Sequence, residues 1–235
     1  PFEFGCDIVT HSTTKYADGH ATSVGGCIVD SGNFDWEAHA EKFPRLCRPD
    51  DSYHGLTYTK AFGKNAFITK ATAQLMRDLG SIQSPMNAFL TNLGLETLHL
   101  RMARHCSNAQ AVAEFLEKQD RLAWINYCGL KSNKYYALGQ KYMPHGSCGV
   151  IAFGLKGTRE DAIRFMDSLK LICIATHVAD CRSCVLHPAS HTHRQLSDDQ
   201  LREAGIQPDL IRLSVGIENP DDIIADIDQA LKASQ

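Results

Sequence analysis

The sequence has no apolar run near the length of a bilayer span and no stretch with the layout of a signal peptide. It also lacks a basic excess: Lys+Arg is 24 against Asp+Glu 27, a formal charge of −3. That argues against a nucleic-acid binder, which usually carries a basic stripe. Internal repeats and low-complexity tracts are missing. So is any second C-x-x-C at ribbon spacing, which a zinc ribbon would need. The nine cysteines are odd in number and scattered, unlike a disulfide scaffold. A reducing, cytoplasmic compartment fits them better. With 43% hydrophobic and 22% charged residues over 235 positions, the rest is ordinary for one large or two small globular domains.

The first ninety residues read as strands and loops. Asp7 to Thr10 and Val24 to Val29 are strand-like, and the Gly25-Gly26 pair inside the second suggests close approach by backbone or ligand. Helical periodicity covers Ala66 to Leu79, and Pro85 interrupts it. Beyond it Leu95, Leu98, Met102, His105, Ala109, Val112 and Leu116 predict one buried helix face, and a domain junction is placed near residues 85–92. Strands are expected at Ala123–Cys128, Cys148–Leu155, Leu171–Ala175, Cys184–Leu186 and Leu210–Ile217. Between them lie helices capped by Thr158, by the Ser197/Gln200 box and by Asn219-Pro220. This alternation implies an α/β or α+β architecture.

Four features can carry chemistry, one of them the 11 histidines, of which His11, His20, His54, His145 and His177 sit in or beside polar, Gly-rich segments and are ordinary residues unless they converge on one pocket. Ser12-Thr13-Thr14-Lys15 closes a short strand with hydroxyls for phosphate oxygens and an amine able to form a Schiff base, or it is a polar turn with an exposed lysine. Arg212 sits in an apolar strand, on the face of Ser214 and Gly216. Small neighbours leave room for a carboxylate beside the guanidinium, unless an internal acid pairs with it. Cys181-Arg182-Ser183-Cys184 with His187, His191 and His193 has partial zinc-site spacing, or forms a loop near a ligand site.

The run from His11 to Gly26, centred on Lys15, resembles the lysine motif of the pyridoxal-phosphate enzymes of cysteine and methionine metabolism, the cystathionine γ-synthase-like family. Arg77–Gly80, Ser84–Phe89, Leu95–Met102, His187–Ser190 and Arg212–Glu218 resemble its later segments in the same order. Within the family, Ala175–Asp180 followed by His187–His193 looks most like O-acetylhomoserine sulfhydrylases.

The resemblance implies the end of a fold-type I aminotransferase-like large domain over residues 1–88. A small α+β C-terminal domain would follow over residues 89–235. It implies that Lys15 binds pyridoxal 5'-phosphate covalently and then moves protons. Ser12 and Thr14 would hold the cofactor phosphate, and Arg212 the substrate carboxylate. Thr176 and His177 would lie near that carboxylate; His177 stands where relatives often carry Ser or Asn. No metal is implied. The expected reaction replaces the acetate of O-acetylhomoserine with sulfide or a thiol, giving homocysteine or methionine. A methionine or cystathionine γ-lyase is the alternative within the family. From another class, the Cys181–His193 cluster leaves a non-catalytic zinc-binding or interaction module open. The family's phosphate loop, ring-stacking tyrosine and pyridinium-pairing aspartate precede the lysine and have no counterpart here. The chain is thus expected to be a C-terminal portion, inactive alone, completed by the missing segment and by a homotetramer.

Overall fold

The computed structural model describes residues 1–234. The chain forms two compact units: Pro1–Thr14 with Ser23–Phe89, and Lys15–Thr22 with Leu90–Gln235. Among the described residues, no helix is long and apolar enough to cross a membrane.

In the first unit, β1 (Ile8–Ser12) pairs antiparallel with β2 (Gly26–Asp30), so that Ser12 lies opposite Gly26. Short helices follow: α1 (Pro44–Cys47), α2 (Tyr58–Phe62), α3 (Ala66–Lys70) and α4 (Arg77–Leu79). A π-helical stretch, Ala71–Met76, joins the last two into the helical run expected over 66–79. The small core holds Trp36, Leu46, Tyr58 and Ala66, with Phe67 stacked on Trp36 at 5.5 Å. The close approach anticipated at Gly25 is real. A Cβ there would sit 2.7 Å from Thr13 Oγ1 and would also strike the Gln83 amide.

The long helix α5 (Pro85–Leu116) starts at Pro85 itself, whose missing N–H costs nothing at a first helical position. Then come β3 (Leu122–Asn126), α6 (Tyr136–Tyr142), β4 (Val150–Leu155), α7 (Arg159–Asp167), β5 (Cys173–Ile174) and β6 (Cys184–Leu186). Helix α8 (Asp198–Glu203), strand β7 (Leu210–Ser214) and helix α9 (Pro220–Ala233) complete the second unit. Its sheet runs β3-β4-β7-β6-β5, antiparallel except for the parallel pair β5–β6. Ile151, Phe153, Val185, Ile211 and Leu213 of the sheet share one core with Val112 and Leu116 of α5, Phe165 of α7 and Ile227 of α9. The Thr158 cap and the Ser197/Gln200 box form as expected, and Asp161 completes a box at Thr158 as well.

Two expectations need correction. The strand read over Leu171–Ala175 shrinks to Cys173–Ile174. The reason is Asp226 on α9, whose carboxylate accepts hydrogen bonds from the backbone N–H groups of Lys170, Leu171 and Ile172 at 2.8–2.9 Å. Those donors are not available to a ladder. The apolar stripe on α5 fails in its first half as well. Leu95 is 48% exposed and Leu98 and Met102 are only half-buried, while Thr91, Gly94 and Arg101 are buried; from His105 onward the stripe is buried as expected. That face meets main-chain carbonyls, which need donors and close approach more than they need apolar contact.

Candidate active site

Lys15 opens the eight-residue segment that belongs to the second unit. Its side chain is half-buried, and its amine makes no hydrogen bond or ion pair among the described residues. The turn behind it is closely held. Asp18, 1% exposed, accepts hydrogen bonds from the backbone N–H groups of His20 and Thr22 and from the Thr22 hydroxyl, the last two at 2.9 and 2.6 Å. Gly19 and Ala21 both take left-handed φ values, of 74° and 56°. Ala21 holds that conformation at a cost which the Asp18 bonds offset.

Helix α5 clamps the same turn. Arg101, 5% exposed, donates to the carbonyl oxygens of Tyr16 at 2.8 Å, Gly94 at 2.5 Å and Ala17 at 3.4 Å, and to Thr97 Oγ1 at 3.0 Å. Among the described residues no acidic side chain pairs with it. The turn can lie that close because position 94 is glycine: a Cβ would overlap the Ala17 and Asp18 carbonyls. Asn108 continues the face one turn beyond His105, donating to Gly216 O at 3.0 Å and Glu218 O at 2.8 Å. Sequence reading missed Arg101 and Gly94. Their seven-residue spacing, two helical turns on one face, was the available signal.

Tyr16 ties the segment to the sheet. Its hydroxyl accepts the Gly149 N–H at 3.0 Å, and its ring meets His105 edge-on at 5.0 Å. Burial pushes the phenol up to about 12. The His105 Nδ1–H donates to Val215 O at 2.7 Å, which fixes the tautomer, and burial lowers its pKa. Val215 lies three residues past Arg212, so one packed chain of contacts joins the Lys15 turn to strand β7.

Arg212 projects from β7 between buried Ile211 and Leu213, opposite Ala152 of β4 and Leu186 of β6. Its Nη2 donates to Thr176 O at 2.7 Å and His177 O at 3.3 Å. Its Nε is buried with no partner, and no carboxylate pairs with it among the described residues. The internal acid considered from the sequence is not there. His177 Nε2 is also buried without a partner. Burial lowers the His177 pKa, and the Lys15 cation adds to the shift. Thr176 contributes its carbonyl to the cluster. Lys15, Arg212, Thr176 and His177 thus share a unit, and among the described residues no carboxylate forms an ion pair with Lys15 or Arg212.

Ser12 and Thr14 belong to the first unit. Ser12 ends β1 with an exposed hydroxyl that has no partner among the described residues. Thr14 is engaged with Gly25: its Oγ1 donates to the carbonyl at 3.3 Å and accepts the N–H at 3.1 Å. Rotation about χ1 frees that hydroxyl for another acceptor.

The zinc reading fails. Among the described residues, no three His, Cys, Asp or Glu side chains are placed to hold a metal. Cys181 Sγ lies 3.7 Å from His20 Nε2, and the Cys184 thiol donates to His177 O at 3.1 Å. Buried His187 is occupied by Ser190 Oγ at 2.9 Å and Pro208 O at 2.8 Å.

Comparison with known proteins gives the family. The model of the family described as Cys/Met metabolism PLP-dependent enzyme matches residues 1–232. The O-acetyl-L-homoserine sulfhydrylase of Leptospira meyeri is 46% identical over 241 aligned positions, covering 99% of this chain and 54% of its own. The homocysteine synthase of Schizosaccharomyces pombe is 44% identical over 234, covering 100% and 54%. Among solved structures, a Campylobacter jejuni protein assigned as an O-acetylhomoserine (thiol)-lyase, with a pyridoxyl-lysine monophosphate, superposes with a TM-score of 0.89 at 38% identity. That match covers 99% of this chain and 55% of the other. The chain therefore spans about half the length of the curated relatives it matches.

Proposed function

We propose, on the premise that this chain belongs to the family of Cys/Met metabolism PLP-dependent enzymes, that it is the lysine-bearing C-terminal portion of an O-acetylhomoserine sulfhydrylase. The observation that carries the reading is Arg212. A half-buried guanidinium with an orphaned Nε, no acid partner and an open amine at Lys15 in the same unit is a receptor for the carboxylate of an amino acid.

The donor set fits pyridoxal 5'-phosphate. Lys15 offers an uncommitted primary amine, Ser12 a free hydroxyl, and Thr14 a hydroxyl committed only to Gly25. In this reading Lys15 holds the cofactor aldehyde, while Ser12 and Thr14 hold its phosphate. When bound, the cofactor supplies an electron sink for charge developing at the substrate α-carbon. Arg212 binds the substrate carboxylate, guided by the Thr176 and His177 carbonyls that orient its guanidinium. His177 lines the carboxylate end. Lys15 Nζ moves protons at the substrate α- and β-carbons. The net change breaks the bond from Cγ to the acetate oxygen and forms a Cγ–S bond, so O-acetylhomoserine and hydrogen sulfide give homocysteine and acetic acid. Residues 1–88 would close the cofactor-binding large domain and residues 89–235 form the small domain. The other half of the enzyme and neighbouring subunits of a homotetramer complete the site, in a reducing cytoplasm that suits nine free thiols.

The test is turnover by the full-length protein. O-acetylhomoserine with sulfide should yield homocysteine. Release of a keto acid from methionine, without thiol incorporation, would assign a γ-lyase instead.

A further inference from the structure

Cys173 and Cys184 face one another across the sheet. Strands β5 and β6 are parallel, with Cys173 opposite Cys184, and the register is fixed by Cys173 N–H to Ser183 O at 3.2 Å and Ala175 N–H to Val185 O at 3.0 Å. Residues in register on parallel strands point to the same face. Neighbouring strands lie about 4.8 Å apart, inside the roughly 4.4–6.8 Å that disulfides span between Cα atoms. The two thiols differ in access: Cys173 is exposed on the edge strand, whereas Cys184 is 5% exposed. Both lie near one cation. That cation is Arg182, which is within electrostatic reach of both thiols and pairs with Asp180 at 3.0 Å.

We propose that Cys173 and Cys184 are an oxidisable pair, a covalent modification site at which a low-molecular-weight disulfide closes a cross-strand bond beside Arg212. The exposed Cys173 sulfur attacks the small disulfide and expels one thiol. The Cys184 sulfur then displaces the second. Two S–H bonds break and one protein S–S bond forms. The two protons and two electrons leave as two molecules of reduced small thiol. The change reaches the carboxylate receptor through one atom, the His177 carbonyl oxygen. Cys184 donates its S–H to that oxygen at 3.1 Å, and Arg212 Nη2 donates to the same oxygen at 3.3 Å. Oxidation removes the first donor and draws the sulfur toward β5, so the carbonyl pair that orients Arg212 loosens.

The effect on substrate rests on the proposed role of Arg212; the cross-link does not. The full-length protein is treated with glutathione disulfide and mapped without reduction. Trypsin leaves Cys173 and Cys181 together on residues 171–182 and Cys184 on residues 183–194. The expected product links these peptides with loss of two hydrogens. The link should vanish in Cys173→Ser, persist in Cys181→Ser and reverse with dithiothreitol. Recovery of free Cys184, with Cys173 only glutathionylated, overturns the pair. In the assay, oxidation should raise the KM for O-acetylhomoserine about fivefold to tenfold in the wild type. It should leave Cys173→Ser, normal when reduced, unchanged. A cross-link with unmoved KM refutes the coupling to Arg212. Absence of any O-acetylhomoserine turnover in the reduced protein would defeat the functional reading alone, since the mapped link would stand.

Discussion

Replacing Arg101 by methionine removes the guanidinium donors and keeps most of the stem packing. In the native fold that group serves three backbone carbonyls, of Tyr16, Ala17 and Gly94, and the Thr97 hydroxyl. A hydrogen bond from a charged donor is worth about 1.5–3 kcal/mol. The carbonyls left behind face a helix, and water entering the space recovers part of the loss. The net destabilisation works out at about 3–5 kcal/mol, as for a broken buried charged group. Urea unfolding followed by circular dichroism measures it. Gly94→Ala tests the same clamp from the other side. Helix propensity alone favours alanine by about 1 kcal/mol. The Cβ would overlap the Ala17 and Asp18 carbonyls, however, and backbone atoms there cannot swing aside. A net loss of about 2–3 kcal/mol is therefore expected. A midpoint unchanged in Arg101→Met, or raised in Gly94→Ala, would refute the clamp.

Arg212→Ala should raise the KM for the amino-acid substrate roughly thirtyfold to two-hundredfold, the value of a charged bidentate contact of about 2–3 kcal/mol. The thermal midpoint should fall less than in Arg101→Met, because no acid is left unpaired and the exposed Thr176 carbonyl can turn to water. A KM within twofold of the wild type speaks against the carboxylate role. Stability should also depend on pH with a definite sign. Burial holds the pKa values of His105, His177 and His187 below the ordinary 6.5, so the unfolded chain takes up protons that the fold refuses. Stability is then full above about pH 6.5 and falls as the pH drops below it. Urea midpoints at about pH 7.5 and 5.5 show the loss, and a higher midpoint at the lower pH contradicts it.

Much of this was legible from residue types and spacing. Phe165 and Met166 on α7, Ile223 and Ile227 on α9, and Ile211 and Leu213 on β7 fall on the core as their periodicity required. Arg212 stood out because a guanidinium in an apolar strand must find a partner or a ligand. Other features depended on contacts far apart in sequence. Nothing near Leu171 signals that Asp226, more than fifty residues later, takes its N–H. An amphipathic pattern locates apolar stripes, so it read Leu95 as core. The face that packs is defined by a glycine, an arginine and an asparagine that satisfy carbonyls. The Thr14 hydroxyl likewise reads as free until its bonds to Gly25 are seen.

The most direct measurement is borohydride reduction of the full-length protein with its cofactor, followed by peptide mapping. The account predicts a stable pyridoxyl adduct on the ε-amine of Lys15, absent from Lys15→Ala. An adduct on another lysine, or full turnover by Lys15→Ala, would contradict it.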